Sequence, residues 1–359
     1  MNRAFSVYLD LVRFTAACLV YVYHSNQRAL VEQVLPASSY GHSAVIVFFV
    51  LCGFVIAYVT DIKERDWPTY AASRASRVYS VALPAVFLTI ALDAIGRSLA
   101  PSLYTSYPFD QIAARSGISL AMLNEVWLVS VTSFSNVPYW SICYESWYYA
   151  VFGVAMFAPA KWVAVIILGV ALLVGPKIVL LAPIWLSGVL LYRWRRLQIQ
   201  SGRSAFAILS LSIAGITAFH AVDLQSLGAN VLKAAIGASL HEQLTFSKFF
   251  LSDYLLTVLV VANFAAMRFL AERSRDFWVA IERPVRFAAG YTFTLYLLHQ
   301  PLFLFWGAVL RGDPKGLANW TWVTLLTGIS VVVVGHFTES KRHVLRAWLL
   351  TKFQRIGSR

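Results

Sequence analysis

The chain has 359 residues, of which 59% are hydrophobic and only 13% charged, against about 25% charged in soluble domains. With a mean hydropathy of +0.65, this composition excludes a soluble globular domain and describes an all-α polytopic membrane protein. The formal net charge of +13 would suggest nucleic acid as the partner of a soluble chain. Here membrane topology accounts for it, so membrane lipid and not nucleic acid is the expected surrounding.

The first apolar stretch runs from Phe5 to Ser25 and is long enough to cross a bilayer, which takes about 20 residues. It is too long for the core of a cleavable signal and is followed by no small-residue cleavage site. It carries Asp10, Arg13 and His24, and ionisable groups at such depth cost roughly 2.5 kcal/mol or more each. Asp10 and Arg13 are three apart and pair on one helix face. His24 follows Arg13 by eleven residues, close to three turns and about 16 Å along the same face. Function and a neutralised structural pair with an interfacial histidine both fit this stripe.

The second span begins at Gly41, with His42 at its outer end and the small pair Cys52–Gly53 inside it, suited to close helix approach. Arg74 and Arg77 open the third span and share a face that suits either lipid headgroups or a phosphorylated cofactor. The stretch Pro138–Tyr149 brings Glu145 about a turn into the membrane among Trp140, Tyr144, Trp147, Tyr148 and Tyr149. A carboxylate among aromatic rings suits a sugar, which stacks on faces and hydrogen-bonds at its edges. Further on, His299 sits near mid-membrane, two residues before Pro301. Either it lines a polar path or it is a hydrogen-bonded packing histidine. The cysteines Cys18, Cys52 and Cys143 lie in apolar segments without C-x-x-C spacing, so neither a disulfide framework nor a metal site is expected.

Eleven apolar segments recur, at 5–24, 42–60, 78–97, 119–135, 140–158, 162–175, 177–192, 205–222, 250–270, 289–310 and 320–337. The basic tail from Lys341 and the 61–77 loop with Lys63, Arg65, Arg74 and Arg77 both belong in the cytoplasm by the positive-inside rule. Both termini inside requires an even number of spans. The weakest segment, 119–135, contains Asn124 and Glu125 and is expected to be re-entrant or to lie on the outer face. Ten spans remain. On that topology 21 of the 30 lysines and arginines fall inside and 8 outside. Gly175-Pro176 joins two short segments into a tight hairpin. No repeat or linker divides residues 1–359, which read as a single membrane domain.

Six motifs together resemble the acyltransferase-3 family of integral-membrane acyltransferases. They are LDLVRFTAACLVYVYH, VIVFFVLCGF, RASRVYSVALP, PYWSICYESWYY, WLSGVLLYRWRR and YLLHQP, in the family's order, from residue 8 to about 301. The resemblance implies a ten-span enzyme of the bacterial cytoplasmic membrane with no metal. Such an enzyme moves an acyl group, usually acetyl, from cytoplasmic acyl-CoA to a hydroxyl of a carbohydrate or related envelope acceptor. The family's essential Arg-x10-His pair falls on Arg13 and His24, its basic loop on Arg74 and Arg77, and its acidic position on Glu145. Cys52 stands where the family usually has serine, and Ser80 where a proline is usual. No esterase-like domain follows the last span, as it does in some members, so action alone or with a separate partner is implied.

Residue chemistry and resemblance converge on one expectation. His24 takes the acceptor's proton, or carries the acyl group covalently. Arg13, oriented by Asp10, holds an oxygen of the CoA arm, and Arg74 and Arg77 hold its phosphates. Glu145, Trp140, His42 and His299 are the expected acceptor-binding residues. The rival class is a transporter or flippase for an envelope glycan or lipid intermediate, which would also have buried charges and broken helices.

Overall fold

The structure, a computed structural model, describes residues 1–194, 199 and 201–357. Arg195, Arg196 and Arg359, counted above among the inside charges, lie outside the described residues. Those described are overwhelmingly helical, with a single isolated bridge between Ser133 and Asn136 and no strand among them. The first helices are α1 (Arg3–Ser25), α2 (Gly41–Lys63), α3 (Trp67–Leu99), α4 (Ile112–Leu120), α5 (Trp140–Phe157), α6 (Ala160–Val174), α7 (Pro176–Arg193) and α8 (Gly202–Ala221). They are followed by α9 (Leu224–Ile236), α10 (Ala238–Gln243), α11 (Phe250–Arg273), α12 (Arg275–Ala280), α13 (Glu282–Ala289), α14 (Thr292–Leu310), α15 (Leu317–Phe337) and α16 (Arg342–Gly357).

Local chemistry sets the boundaries. The Asn2 side-chain oxygen accepts from the Phe5 N–H at 2.7 Å and caps α1, and Asp66 does the same for α3 through the Thr69 N–H at 2.8 Å. Pro301 sits inside α14 and cannot donate to the Leu297 carbonyl. The Asn136 side-chain amide donates to that carbonyl instead, at 2.7 Å, so α14 stays continuous within the bundle.

Among the described residues, eight helices are long and apolar enough to cross a membrane. The expected ten is therefore not reached on length and composition. The ten predicted positions are all helical, but α5 falls outside those eight and α6, with 15 residues, is short for a core of about 30 Å. Segment 119–135 forms no spanning helix. The chain leaves α4 after Leu120 and runs irregularly to a 3-10 turn at Val137–Tyr139. Two helices, α9 and α10, occupy the connection before α11, and the basic tail is the helix α16. The 61–77 loop is mostly helical as well. At 33 residues, α3 is about 50 Å long, overshoots a bilayer, and carries Arg74 and Arg77 on its extension.

The core is organised on α2, whose tightest contact is with α7. A Cβ on Gly53 would stand 2.0 Å from the Trp185 carbonyl oxygen, and one on Gly188 1.9 Å from that of Val50. The two backbones touch because neither residue has a side chain there. Gly175 joins α6 to α7 at φ +80°, a conformation that favours glycine, with the Trp127 backbone 2.6 Å from where its Cβ would be.

The irregular segment is fastened by a fully buried ion pair. Lys177 Nζ lies 2.5 Å from Glu125 Oε2, with side-chain exposures of 0% and 2%. Lys177 also donates to the Val129 carbonyl and Thr245 to Glu125. Removing one partner leaves a buried, uncompensated charge, at a cost of about 3–5 kcal/mol. Lys177→Met should therefore lower the melting temperature of detergent-solubilised protein sharply, and adding Glu125→Gln should recover part of it. Equal melting of the single variant and wild type would remove this pair from the account of the fold.

Candidate active site

A cavity of about 800 Å³ opens at the end of the bundle where the α2–α3 loop and α16 lie. Seven lysine and arginine side chains line it (Arg13, Lys63, Arg74, Arg77, Arg286, Arg342 and Arg346) against the four carboxylates Asp10, Glu64, Glu145 and Glu339. Ser141, Thr292 and Tyr296, all buried, line it as well.

On its α1 wall, Asp10 accepts from Arg13 at 2.8 Å and from Arg286 at 2.8 Å. Arg13 also donates to the Ala289 carbonyl at 3.3 Å. Arg286 is held in turn by Glu282, which Arg3 shares. These two guanidinium groups pull the Glu282 carboxyl down to about 2, so the clamp between α1 and α13 keeps its charge through the physiological range.

The two arginines of α3 differ. Arg74 is buried, ion-paired to Glu64 and set over the Tyr70 and Tyr149 rings at 5.6 and 5.7 Å. Arg77 has no salt-bridge partner among the described residues, and the field of Glu145 and Glu339 reaches it across the cavity. Deeper in, Glu145 accepts from the Cys52 thiol at 2.9 Å and from the Tyr149 hydroxyl. One turn earlier on α5, Ser141 and Tyr296 share a hydroxyl hydrogen bond of 2.6 Å.

Tyr296 separates this cavity from two imidazoles. His299 is fully buried, and its Nδ1 lies 3.0 Å and 2.8 Å from the Leu295 and Tyr296 carbonyls. Only a protonated Nδ1 satisfies such contacts, so Nε2 of the neutral ring carries the lone pair, and it has no partner. The His24 ring lies 5.3 Å from that of His299, centroid to centroid. The basic vestibule, the carboxylate–thiol cluster and the Ser–Tyr pair thus share one cavity, and the histidine pair lies next to it, with the His299 ring 6.3 Å from that of Tyr296. A model of the acyltransferase domain, the acyltransferase-3 family, matches residues 6–338.

The chain belongs to the acyltransferase-3 family. It is a membrane acyltransferase, and the histidine pair and the vestibule form its candidate active site. No curated protein and no solved structure matches it. Among the described residues, no group of three His, Cys, Asp or Glu side chains is placed to hold a metal ion.

Of the residues singled out from sequence, Asp10, Arg13, Arg74, Arg77 and Glu145 line the vestibule of this acyltransferase, and His24 and His299 meet beyond it. Two stand apart. His42 pairs through Nε2 with both oxygens of Asp253 at 3.0 Å, clamping α2 to α11. Trp140 is buried face to face on Phe246, with centroids 4.2 Å apart, and touches Phe49 and Tyr144 edge-on. The sequence reading missed Ser141, Thr292, Tyr296, Arg286, Glu339 and the arginines of α16. For Ser141 a signal existed, since it lies four residues before Glu145 and shares its helix face.

Proposed function

We propose that this acyltransferase takes an acyl group, acetyl in the first instance, from acyl-CoA at the cytoplasmic face. It passes the group to a hydroxyl of a cell-envelope or exported carbohydrate. In this reading the protein sits in the bacterial cytoplasmic membrane with both termini, and the mouth of the vestibule, in the cytoplasm. The observation that carries it is a vestibule with excess positive charge that reaches Ser141 and Tyr296, with a histidine pair packed behind Tyr296. A polyphosphorylated donor fits the vestibule, and the pair supplies a base for a hydroxyl.

The chemistry balances without a metal. His24 accepts the proton of the acceptor hydroxyl as its oxygen attacks the thioester carbonyl. The new C–O bond forms, the C–S bond breaks, and the CoA thiolate leaves with the proton that His24 received. His299, its Nδ1–H tied to the α14 backbone, presents Nε2 as an acceptor that orients the incoming hydroxyl or the His24 ring. Asp10 orients Arg13 toward the pantetheine–phosphate arm.

The direct test is reconstituted protein given labelled acetyl-CoA and an envelope polysaccharide fraction. The expected result is release of free CoA with label in alkali-labile ester on the glycan. Glycan mass spectra from a deletion strain should lack the same ester. Absence of CoA release with every carbohydrate fraction would refute this reading.

The two α3 arginines should separate in the same assay. Arg77→Ala should raise the KM for acetyl-CoA by about tenfold or more, the size of one charge-assisted hydrogen bond. Arg74→Ala instead leaves Glu64 buried and unpaired, so its main effect should be a lowered melting temperature. Equal KM increases in both variants, without a stability difference, would return the two residues to one shared role.

A further inference from the structure

The residue range matched by the family stops at 338, yet the vestibule continues past it through Glu339, Ser340, Arg342, His343 and Arg346. Glu339 accepts from the backbone N–H and the hydroxyl of Thr294, at 3.0 and 2.9 Å. That bond pins the 3-10 turn Glu339–Lys341 to the start of α14, and α16 then lies against α3. Arg342 and Arg346 are four residues apart, on one face of α16, and both stand exposed at the cavity mouth.

The pairing of charges shows what this element adds. Arg13 and Arg286 both pair with Asp10, Arg286 also with Glu282, and Arg74 pairs with Glu64. Lys63, Arg77, Arg342 and Arg346 have no salt-bridge partner among the described residues. Arg77 is half-buried, in the field of Glu145 and Glu339, whereas the α16 pair is exposed at the mouth, with Arg342 in the field of Glu339 and of Arg77 itself. The unpaired cations thus form two centres at different depths. One phosphate group would use the inner centre alone. A donor with two separated phosphate groups would use both, and CoA is such a donor, with a diphosphate in its arm and a phosphomonoester on its ribose. Two guanidinium groups one turn apart suit the dianionic monoester, since each offers a planar fork of donors to its oxygens.

We propose that Arg342 and Arg346 of the C-terminal helix form a phosphomonoester subsite that reads the ribose 3′-phosphate of the donor, making this helix a specificity element of the vestibule. The inference rests on the acyl-CoA reading above.

The test compares acetyl-CoA with 3′-dephospho-acetyl-CoA as donors for the full-length protein in detergent. For wild type, the KM of the dephospho donor should be about tenfold higher or more. In Arg342→Gln/Arg346→Gln the two KM values should converge, through a rise for acetyl-CoA, while Arg342→Lys/Arg346→Lys keeps part of the preference. Stronger inhibition of wild type by adenosine 3′,5′-bisphosphate than by AMP is expected on the same grounds and needs no variant. Equal KM values in wild type, or an unchanged preference in the double Gln variant, overturn the subsite and leave the acyl-CoA reading standing. Transfer from neither donor overturns both.

Discussion

His24→Gln should lower the rate of acyl transfer by at least about 100-fold, the lower end of what a general base contributes, while the protein inserts and elutes as wild type does. Glutamine preserves size and hydrogen bonding at the end of α1 but accepts no proton. The expected loss is in kcat, because the donor vestibule lies on the far side of Tyr296 and is lined by other residues. His299→Gln should cost less and should show in the acceptor KM, since His299 is tied by Nδ1 to the backbone of its own helix and offers one lone pair. Arg13→Lys should fail more severely than a conservative exchange suggests. Its bonds to Asp10 and to the Ala289 carbonyl both leave from one terminal nitrogen, so the rest of the planar fork stays available to a donor oxygen, which a point-like ammonium spent on those two partners does not reproduce. Initial rates with labelled acetyl-CoA, alongside size-exclusion profiles, decide the matter. Activity of His24→Gln within tenfold of wild type removes His24 from the base role.

Features that depend on short helical spacings were legible in the chain. Asp10 and Arg13 pair because three residues make most of a turn. The weakness of 119–135 as a span followed from Asn124 and Glu125. Long-range partners were not legible, because spacing rules end at the end of a helix. Arg286, which shares Asp10, is 276 residues away from it. Lys177, assigned from charge counting to an outer surface, is fully buried because Glu125 cancels its charge. Arg74 and Arg77 look equivalent in RASRVYS, and only Glu64, ten residues earlier, distinguishes them. Trp140 stood out as an aromatic beside a carboxylate. Yet it precedes Glu145 by five residues, about 140° around the helix, so α5 turns it into the core while Ser141 and Glu145 face the cavity. Hydropathy located the ten helical positions, but a count of spans also depends on how short helices such as α6 sit in lipid, which composition does not specify.

The largest effect on the fold should come from Gly53→Val. The Trp185 carbonyl oxygen lies 2.0 Å from the position of a Cβ there, with the Val189 nitrogen at 3.2 Å. Those atoms are backbone of a packed helix, so a side-chain rotation cannot relieve the clash. In soluble cores, overpacking that side chains can absorb costs about 1–3 kcal/mol. Here α2 and α7 must separate along their contact, which also loses the reciprocal seat of Gly188 against Val50. Cys52, whose thiol reaches Glu145 from the adjacent position, would move with α2, so the vestibule should be lost with the fold. The variant should be poorly expressed and aggregated in detergent, and Gly188→Val should behave likewise. Gly328→Ala on α15 is the control, since no atom stands within 4 Å of its Cβ position. It should express and melt as wild type or slightly higher, in line with the helix preference for alanine. A Gly53→Val protein that is monodisperse, with wild-type melting and wild-type CoA release, would mean that the two helices do not touch backbone to backbone at this crossing.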